Sequence, residues 1–296
     1  MPLVATLISS PAERAVSAPL ATMAMEALDA SRIDWLCEGV ACDIHLEGEG
    51  DAQEAERRLR QRLEGKPVDI AVQKTEGRRK KMLIADMDST MIDQECIDEL
   101  AAELGLKEKV ADITRRAMNG EIAFEPALEE RVALLEGLAV DVIDRVIERR
   151  ITLAAGGPAL VATMNAAGAF TALVSGGFEH FTGPISARLG FQAQQANRLL
   201  TAEGRLAGTV ARPILGRAAK AAALSDFAAT HGLSHEEVIA VGDGANDLDM
   251  LALAGLGVAL HAKPAVAAQA RVRIDHGDLT ALLYLQGYRE REFLQP

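Results

Sequence analysis

Four uncharged residues, Met82 to Ala85, run directly into Asp86, and a second carboxylate, Asp88, follows two positions later in the stretch MLIADMDSTMID. An apolar run that ends in turn-forming polar residues predicts a buried strand of a parallel sheet reaching its carboxyl end. In open α/β sheets ligands collect there. Extended geometry sends the Asp86 and Asp88 side chains toward one face, while the backbone between them bends and offers N–H groups to an anion. One carboxylate can act as nucleophile and the other as acid and base. A D-x-D-x-T spacing arises by chance too often to stand alone, so its weight depends on what the rest of the chain supplies.

At 296 residues, 49% of them hydrophobic and 25% charged, the chain is long for one domain and can bury sizeable cores. Its net charge of -12 argues against a nucleic-acid partner or an anionic membrane, because a phosphate surface needs a basic stripe to neutralise it. No apolar stretch approaches the ~18 residues of a membrane span, and no positive residue precedes the first apolar segment as a secretory signal would require. A cytoplasmic location is therefore expected. The basic run Arg78 to Lys81 reads as a solvated linker. Cys37, Cys42 and Cys96 are odd in number and lack C-x-x-C spacing, which points to reduced thiols rather than a disulfide framework or a zinc site.

Residues 1–74 read as β-α-β-β-α-β. A strand over 2–9 precedes a helix over 18–30, in which Pro19 is tolerated in the first turn. Ile33, Trp35 and Cys37 alternate, Glu38-Gly39 turns the chain, and Val40, Cys42, Ile44 and Leu46 alternate again, a hairpin pattern. A helix over 51–64 has acidic first turns, a basic end and Gly65 as its expected C-cap. Val68, Ile70 and Val72 make the last strand. That order is ferredoxin-like, an α+β fold.

After a linker at 75–81 and the strand at Met82, the region from 93 to about 157 shows only helical patterns, near 94–104, 107–118, 125–136 and 140–150, punctuated by Gly105, Gly120 and Gly137. This predicts a small helical bundle inserted after the first strand as a cap over its carboxyl end. Beyond a helix over 158–167, Phe170 to Val174 is a second buried strand, ending in Ser175-Gly176-Gly177. A hairpin follows over 197–210, and a helix over 217–231 carries Lys220. Val238 to Val241 is a third buried strand, ending in GDGANDLDM, and two more strand-helix units close the chain. The alternation predicts a doubly wound, Rossmann-like parallel sheet over residues 82–296.

If the three strand ends adjoin, Asp86, Asp88, Ser175, Asp243 and Asp247 converge on one crevice, with Lys220 brought in from a helix. Carboxylates from separate strands suit Mg²⁺ better than a softer metal. Ser175, its glycines and Lys220 would hold phosphoryl oxygens. The expectation is phosphoryl transfer on an aspartate nucleophile.

DMDST at Asp86, SGG at Ser175, Lys220 and GDGxND at Gly242 to Asp247, in that order and on those elements, resemble the haloacid-dehalogenase superfamily of phosphatases. GDGxND alone should arise by chance only about once in ten thousand chains of this length. Within the superfamily the runs DSTMIDQECIDELA, TRRAMNGEIAFEPALEERVALL and VSGGF are similar to the phosphoserine phosphatase family, over residues 82 to about 290. The resemblance implies Asp86 as nucleophile and Asp88 as acid and base. It implies magnesium held by Asp86, Asp243 and Asp247, with Asp88 contributing its backbone carbonyl. Ser175, Gly176, Lys220 and Asn246 would bind phosphate, Glu95 the substrate ammonium and Arg131 its carboxylate, with Met118 and Phe124 walling out water. On composition alone Glu95, Arg131 and Lys220 would be solvated surface charges and Met118 and Phe124 cap core, and only the motif match reverses this.

The implied reaction is hydrolysis of O-phosphoserine to serine, with other small phosphorylated amino acids as the alternative substrates. The N-terminal part resembles ACT-type regulatory domains. It would bind an amino acid, or serve homodimerisation or stability. A serine-sensing regulatory protein is the alternative from another class, and the intact catalytic motifs speak against it.

Overall fold

The computed structural model describes residues 2–46 and 50–295. The chain begins β1 (Leu3–Ile8), α1 (Ala18–Leu28), β2 (Arg32–Cys37), β3 (Ala41–Leu46), α2 (Ala52–Arg62) and β4 (Asp69–Lys74). The four strands form an antiparallel sheet in the order β2-β3-β1-β4, the ferredoxin-like arrangement expected from the element order. Ser17 caps α1 by accepting from the Leu20 N–H, and Asp51 caps α2 by accepting from the Gln53 and Glu54 N–H groups. Leu7, Ala24, Ile44 and Leu59 are buried together where the helices cover the sheet. Gly65, expected as the C-cap of α2, lies two residues past the observed cap at Leu63, at φ +74°.

β5 (Met82–Ala85) opens the second sheet. The chain then makes α3 (Cys96–Ala102), α4 (Lys107–Met118), α5 (Phe124–Ala133) and α6 (Val142–Arg150), and returns through α7 (Gly157–Ala166) to β6 (Phe170–Phe178). There follow α8 (Glu179–Leu189), β7 (Ala193–Asn197), the hairpin β8 (Leu199–Ala202) and β9 (Arg205–Val210), and α9 (Arg217–Thr230). The chain closes with β10 (Val238–Gly242), α10 (Leu248–Leu253), β11 (Leu256–Leu260), α11 (Pro264–Ala267), β12 (Val272–Ile274) and α12 (Ala281–Leu285).

Six parallel strands stand in the order β12-β11-β10-β5-β6-β7. Since β5 pairs with both β6 and β10, the strand order reverses beside it, and the crevice at its carboxyl end is the switch point where such sheets bind ligands. Alternate residues of β5 enter opposite cores: Leu83 and Ala85 pack on one face of the sheet, Met82 and Ile84 on the other. Burial on both faces explains why the strand reads as an uninterrupted apolar run. Truncating Ile84 to Ala should cost ~2–5 kcal/mol.

Two elements escape the sequence pattern. β7 is an edge strand of composition AQQAN whose middle residues are exposed, so it carries no apolar signal, and α8 contains Gly183 and Pro184, which read as breakers.

The linker differs from expectation more sharply. Arg78 is only 8% exposed rather than solvated. Its guanidinium donates to both carboxylate oxygens of Asp43, at 2.7 and 3.0 Å, and to the carbonyls of Tyr284 and Leu285 at 3.3 and 3.1 Å. Those carbonyls end α12, where Tyr284 O also accepts the Gly287 N–H and Leu285 O the Gln73 Nε2 amide, so a planar five-donor fork joins a carboxylate in one sheet to a helix terminus beside the other. A second tie comes from Asp69 of β4, whose carboxylate accepts the N–H groups of Asp275, His276 and Gly277. Partners about two hundred residues away leave no trace in a local run of basic residues.

Candidate active site

Asp86 is the first residue past β5. Its N–H donates to Val241 O of β10 at 3.0 Å, and the Met87 N–H and Lys220 Nζ both fall on its Oδ1, at 2.8 and 2.7 Å. Lys220, completely buried, reaches in from α9 and contacts Asp247 Oδ1 at 2.6 Å. Asp247 also accepts the Gly244 N–H, and a Cβ at Gly242 would fall on its carboxyl group, so only glycine lets β10 approach so closely. Asp243 follows β10 and pairs with Lys263 at 2.8 Å. Single oxygens of Asp86, Asp243 and Asp247 lie within 4.8 Å of one another.

Asp88 is held apart from that triplet. Its Oδ1 accepts the Cys96 N–H at 2.9 Å, and Ser175 Oγ stands 3.4 Å from Oδ2. Ser175 Oγ in turn accepts the Gly177 N–H at 2.9 Å. A Cβ at Gly177 would sit 2.6 Å from Asp88 Oδ2, which is why a second glycine follows the serine.

One cavity joins the predicted residues from both sides. Asp86, Asp88, Ser175, Gly176 and Asn246 line it from the sheet, and Glu95, Met118, Phe124 and Arg131 line it from the helical insertion. Lys220, Asp243 and Asp247 are outside this lining, buried around Asp86. Glu95 precedes α3 and accepts from Ser89 Oγ at 2.8 Å; Ser89 itself adopts φ +54°, a left-handed conformation rare for a side-chain-bearing residue. Arg131 is 2% exposed, yet no carboxylate among the described residues lies within ion-pair distance of it. Asn246 Oδ1 is buried with no hydrogen-bond partner among them.

Sequence reasoning missed Lys263, Ser89 and the apolar wall residues Ile97 and Leu128. Lys263 could have been found, since it follows the carboxyl end of β11, the next strand along the same rim. Two further polar residues near the motifs take no part: Asp249 lies at the surface, paired with Arg217, and His180 does not line the cavity.

Burial dominates the electrostatics. It holds the Asp86 carboxyl well above the usual carboxylate range, with Asp247 pushing the same way and Lys220 opposing. Burial also raises Asp88, against the Cys96 N–H and Ser175, and it raises Glu95, reinforced by Asp88. Asp243 is lifted by burial to about 6, with Lys263 pulling it down. Burial pulls Lys220 down, but Asp247 and Asp86 more than offset it, and the ammonium is held above its ordinary value.

Three buried carboxylates set against two ammoniums, Lys220 and Lys263, leave excess negative charge in a low-dielectric place. Their donors are all hard oxygens, Asp86 from the end of β5 and Asp243 and Asp247 from the segment after β10, the set that a small divalent cation with retained waters accepts. The residues therefore fit a magnesium-type cation.

Residues 83–252, more than half the chain, match the family of haloacid dehalogenase-like hydrolases. The chain is 44% identical over 218 residues to a phosphoserine phosphatase of Archaeoglobus fulgidus, an overlap covering 73% of this chain and 63% of that protein. It spans less than two thirds of that relative's length. Among solved structures it resembles a substrate-bound phosphoserine phosphatase complex at 38% identity and TM-score 0.67, covering 70% of this chain and 98% of that one. A hydrolase of the same family from Salmonella enterica serovar Typhi aligns over 96% of this chain and 98% of its own, at 29% identity and TM-score 0.84. The sheet order, the carboxylate triplet at its switch point and the matched span agree, and the chain belongs to the haloacid dehalogenase-like hydrolase family.

Proposed function

We propose that this chain is a magnesium-dependent phosphoserine phosphatase. The observation that carries the reading is a single cavity with two chemically different sides. On the sheet side stand Asp86, Asp88 and Ser175; from the helical insertion come a carboxylate, Glu95, and a buried guanidinium, Arg131, which among the described residues has no carboxylate within ion-pair distance. A small phosphomonoester bearing both an ammonium and a carboxylate complements that layout, and O-phosphoserine is such a molecule.

In this reading Asp86 attacks phosphorus in line. Hydrogen bonds from Lys220 and the Met87 N–H fall on Oδ1, leaving Oδ2 as the attacking oxygen. Asp88, whose burial favours the protonated form, gives its proton to the seryl oxygen as the phosphorus–oxygen bond breaks, and serine and an aspartyl phosphate result. Asp88, now ionised, takes a proton from water; the resulting hydroxide attacks phosphorus and the bond to Asp86 breaks. Ser175 and the Gly176 backbone hold phosphoryl oxygens, and Met118 and Phe124 keep bulk water out during the first half. Magnesium, held by Asp86, Asp243 and Asp247 with the Asp88 backbone carbonyl, would offset charge on the phosphoryl oxygens.

Phosphate release from L-phosphoserine, O-phosphothreonine and an aryl phosphate, each with Mg²⁺ and with a chelator, tests the reading. Metal-dependent turnover with phosphoserine preferred supports it. Equal turnover of all three substrates overturns the assignment of the pocket.

A further inference from the structure

Arg131 is aimed by residues that do not line the cavity. Its Nε donates to the carbonyl of Ala127, one turn back in α5, and its Nη1 donates to Thr114 Oγ1 of α4, both at 3.0 Å. Arginine has no acceptor, so Thr114 must accept this bond, and its one hydroxyl proton is left for another partner. Asp98 Oδ1 of α3 stands 2.7 Å from that hydroxyl, closer than the alternative, Val110 O, at 3.0 Å. Asp98, Thr114 and Arg131 are 8%, 3% and 2% exposed, so the chain of bonds is shielded from water.

We propose that Asp98 and Thr114 are positioning residues that aim the Arg131 guanidinium at the carboxylate of an amino-acid substrate, and that they thereby set the preference for phosphoamino acids over other phosphomonoesters. The inference rests on the reading of the pocket just given. Its physical logic lies in the spacing. A buried guanidinium needs a countercharge, but a carboxylate bonded to it directly would occupy the N–H groups that a substrate carboxylate must use. With one hydroxyl between them, Asp98 supplies negative charge at one remove. Nε and one Nη1 hydrogen are tied down, which fixes the guanidinium plane, and the remaining donors are left for the ligand. Only a residue that accepts on one side and donates on the other can stand at 114, so serine should replace threonine and valine should not.

The test measures kcat and KM separately for L-phosphoserine and for an aryl phosphate, with Mg²⁺ present, in Thr114→Val, Thr114→Ser and Asp98→Asn. Losing the hydrogen bond to a buried cation should raise the phosphoserine KM of Thr114→Val by about ten- to a hundredfold, while kcat for phosphoserine and kcat/KM for the aryl phosphate change by no more than about twofold. Thr114→Ser should return the phosphoserine KM to within about threefold of the parent, because the hydroxyl is restored. Asp98→Asn keeps an acceptor for Thr114 and removes only the charge, so its smaller rise in KM should again be confined to phosphoserine. Equal losses on both substrates, or an unchanged phosphoserine KM in Thr114→Val and Asp98→Asn, overturn the proposal. A parent chain with no preference for phosphoserine defeats the reading of the pocket and the proposal with it, whereas a parent that prefers phosphoserine beside a Thr114→Val variant that prefers it equally defeats the positioning role alone.

Discussion

Lys220 and Asp86 form a buried ion pair 2.7 Å long at the switch point of the parallel sheet, and the same ammonium also serves Asp247 at 2.6 Å. One cation thus stands between two carboxylates that would otherwise repel each other in a site closed to water. It stabilises the ionised form of Asp86, which burial opposes, and it is already in place for the negative charge of a transferred phosphoryl group.

Replacing this lysine should expose that dependence. Lys220→Met leaves Asp86 and Asp247 buried without compensation, and removing one partner of a buried pair typically costs ~3–5 kcal/mol. Chemical unfolding in a chelator at neutral pH should show a loss of that order. Added Mg²⁺ should recover more stability in the variant than in the parent, since the cation fills a larger charge deficit. A variant that unfolds like the parent in chelator would contradict the electrostatic role given to Lys220.

Arg131→Ala should separate recognition from chemistry. Truncating one side of a desolvated charge pair should cost ~2–4 kcal/mol in kcat/KM for phosphoserine. The cost for an aryl phosphate, which has no carboxylate at that end, should be small. Steady-state kinetics on both substrates checks this, and equal losses would make Arg131 a phosphate-binding or structural residue.

The buried fork at Arg78 predicts a stability effect remote from the site. Arg78→Met keeps the side chain's length but leaves the buried Asp43 carboxylate without its countercharge, with only the Thr6 hydroxyl still donating to it, at a cost of ~3–5 kcal/mol. Urea denaturation should show the midpoint falling. A shift below ~0.5 kcal/mol would mean that this bond between the two sheets is no stronger than a surface pair.

The parallel core was legible because burial on both faces writes itself into a sequence as short apolar runs, and the site because three such runs, at Met82, Phe170 and Val238, end in polar residues. Glu95 and Arg131 were a different matter. Their helices look like ordinary charged surface, and nothing within ten residues of Arg131 announces that it is buried; only the ordered match to a family pointed to them. Arg78 had neither signal, and β7 lost its signal at the sheet edge. The limit is the same in each case: local pattern reports which face of an element is covered, while a polar residue's burial depends on partners distant in the chain, such as Asp43 and Leu285 for Arg78 or Thr114 for Arg131.

The most direct test of the account is to quench turnover of L-phosphoserine in the presence of Mg²⁺ and map the phosphoryl group on the chain by mass spectrometry. The expected result is a base-labile adduct on the peptide carrying Asp86, absent in Asp86→Asn together with turnover, a loss of several orders of magnitude. Phosphate released from phosphoserine at an undiminished rate by Asp86→Asn, or an adduct on another residue, would contradict it.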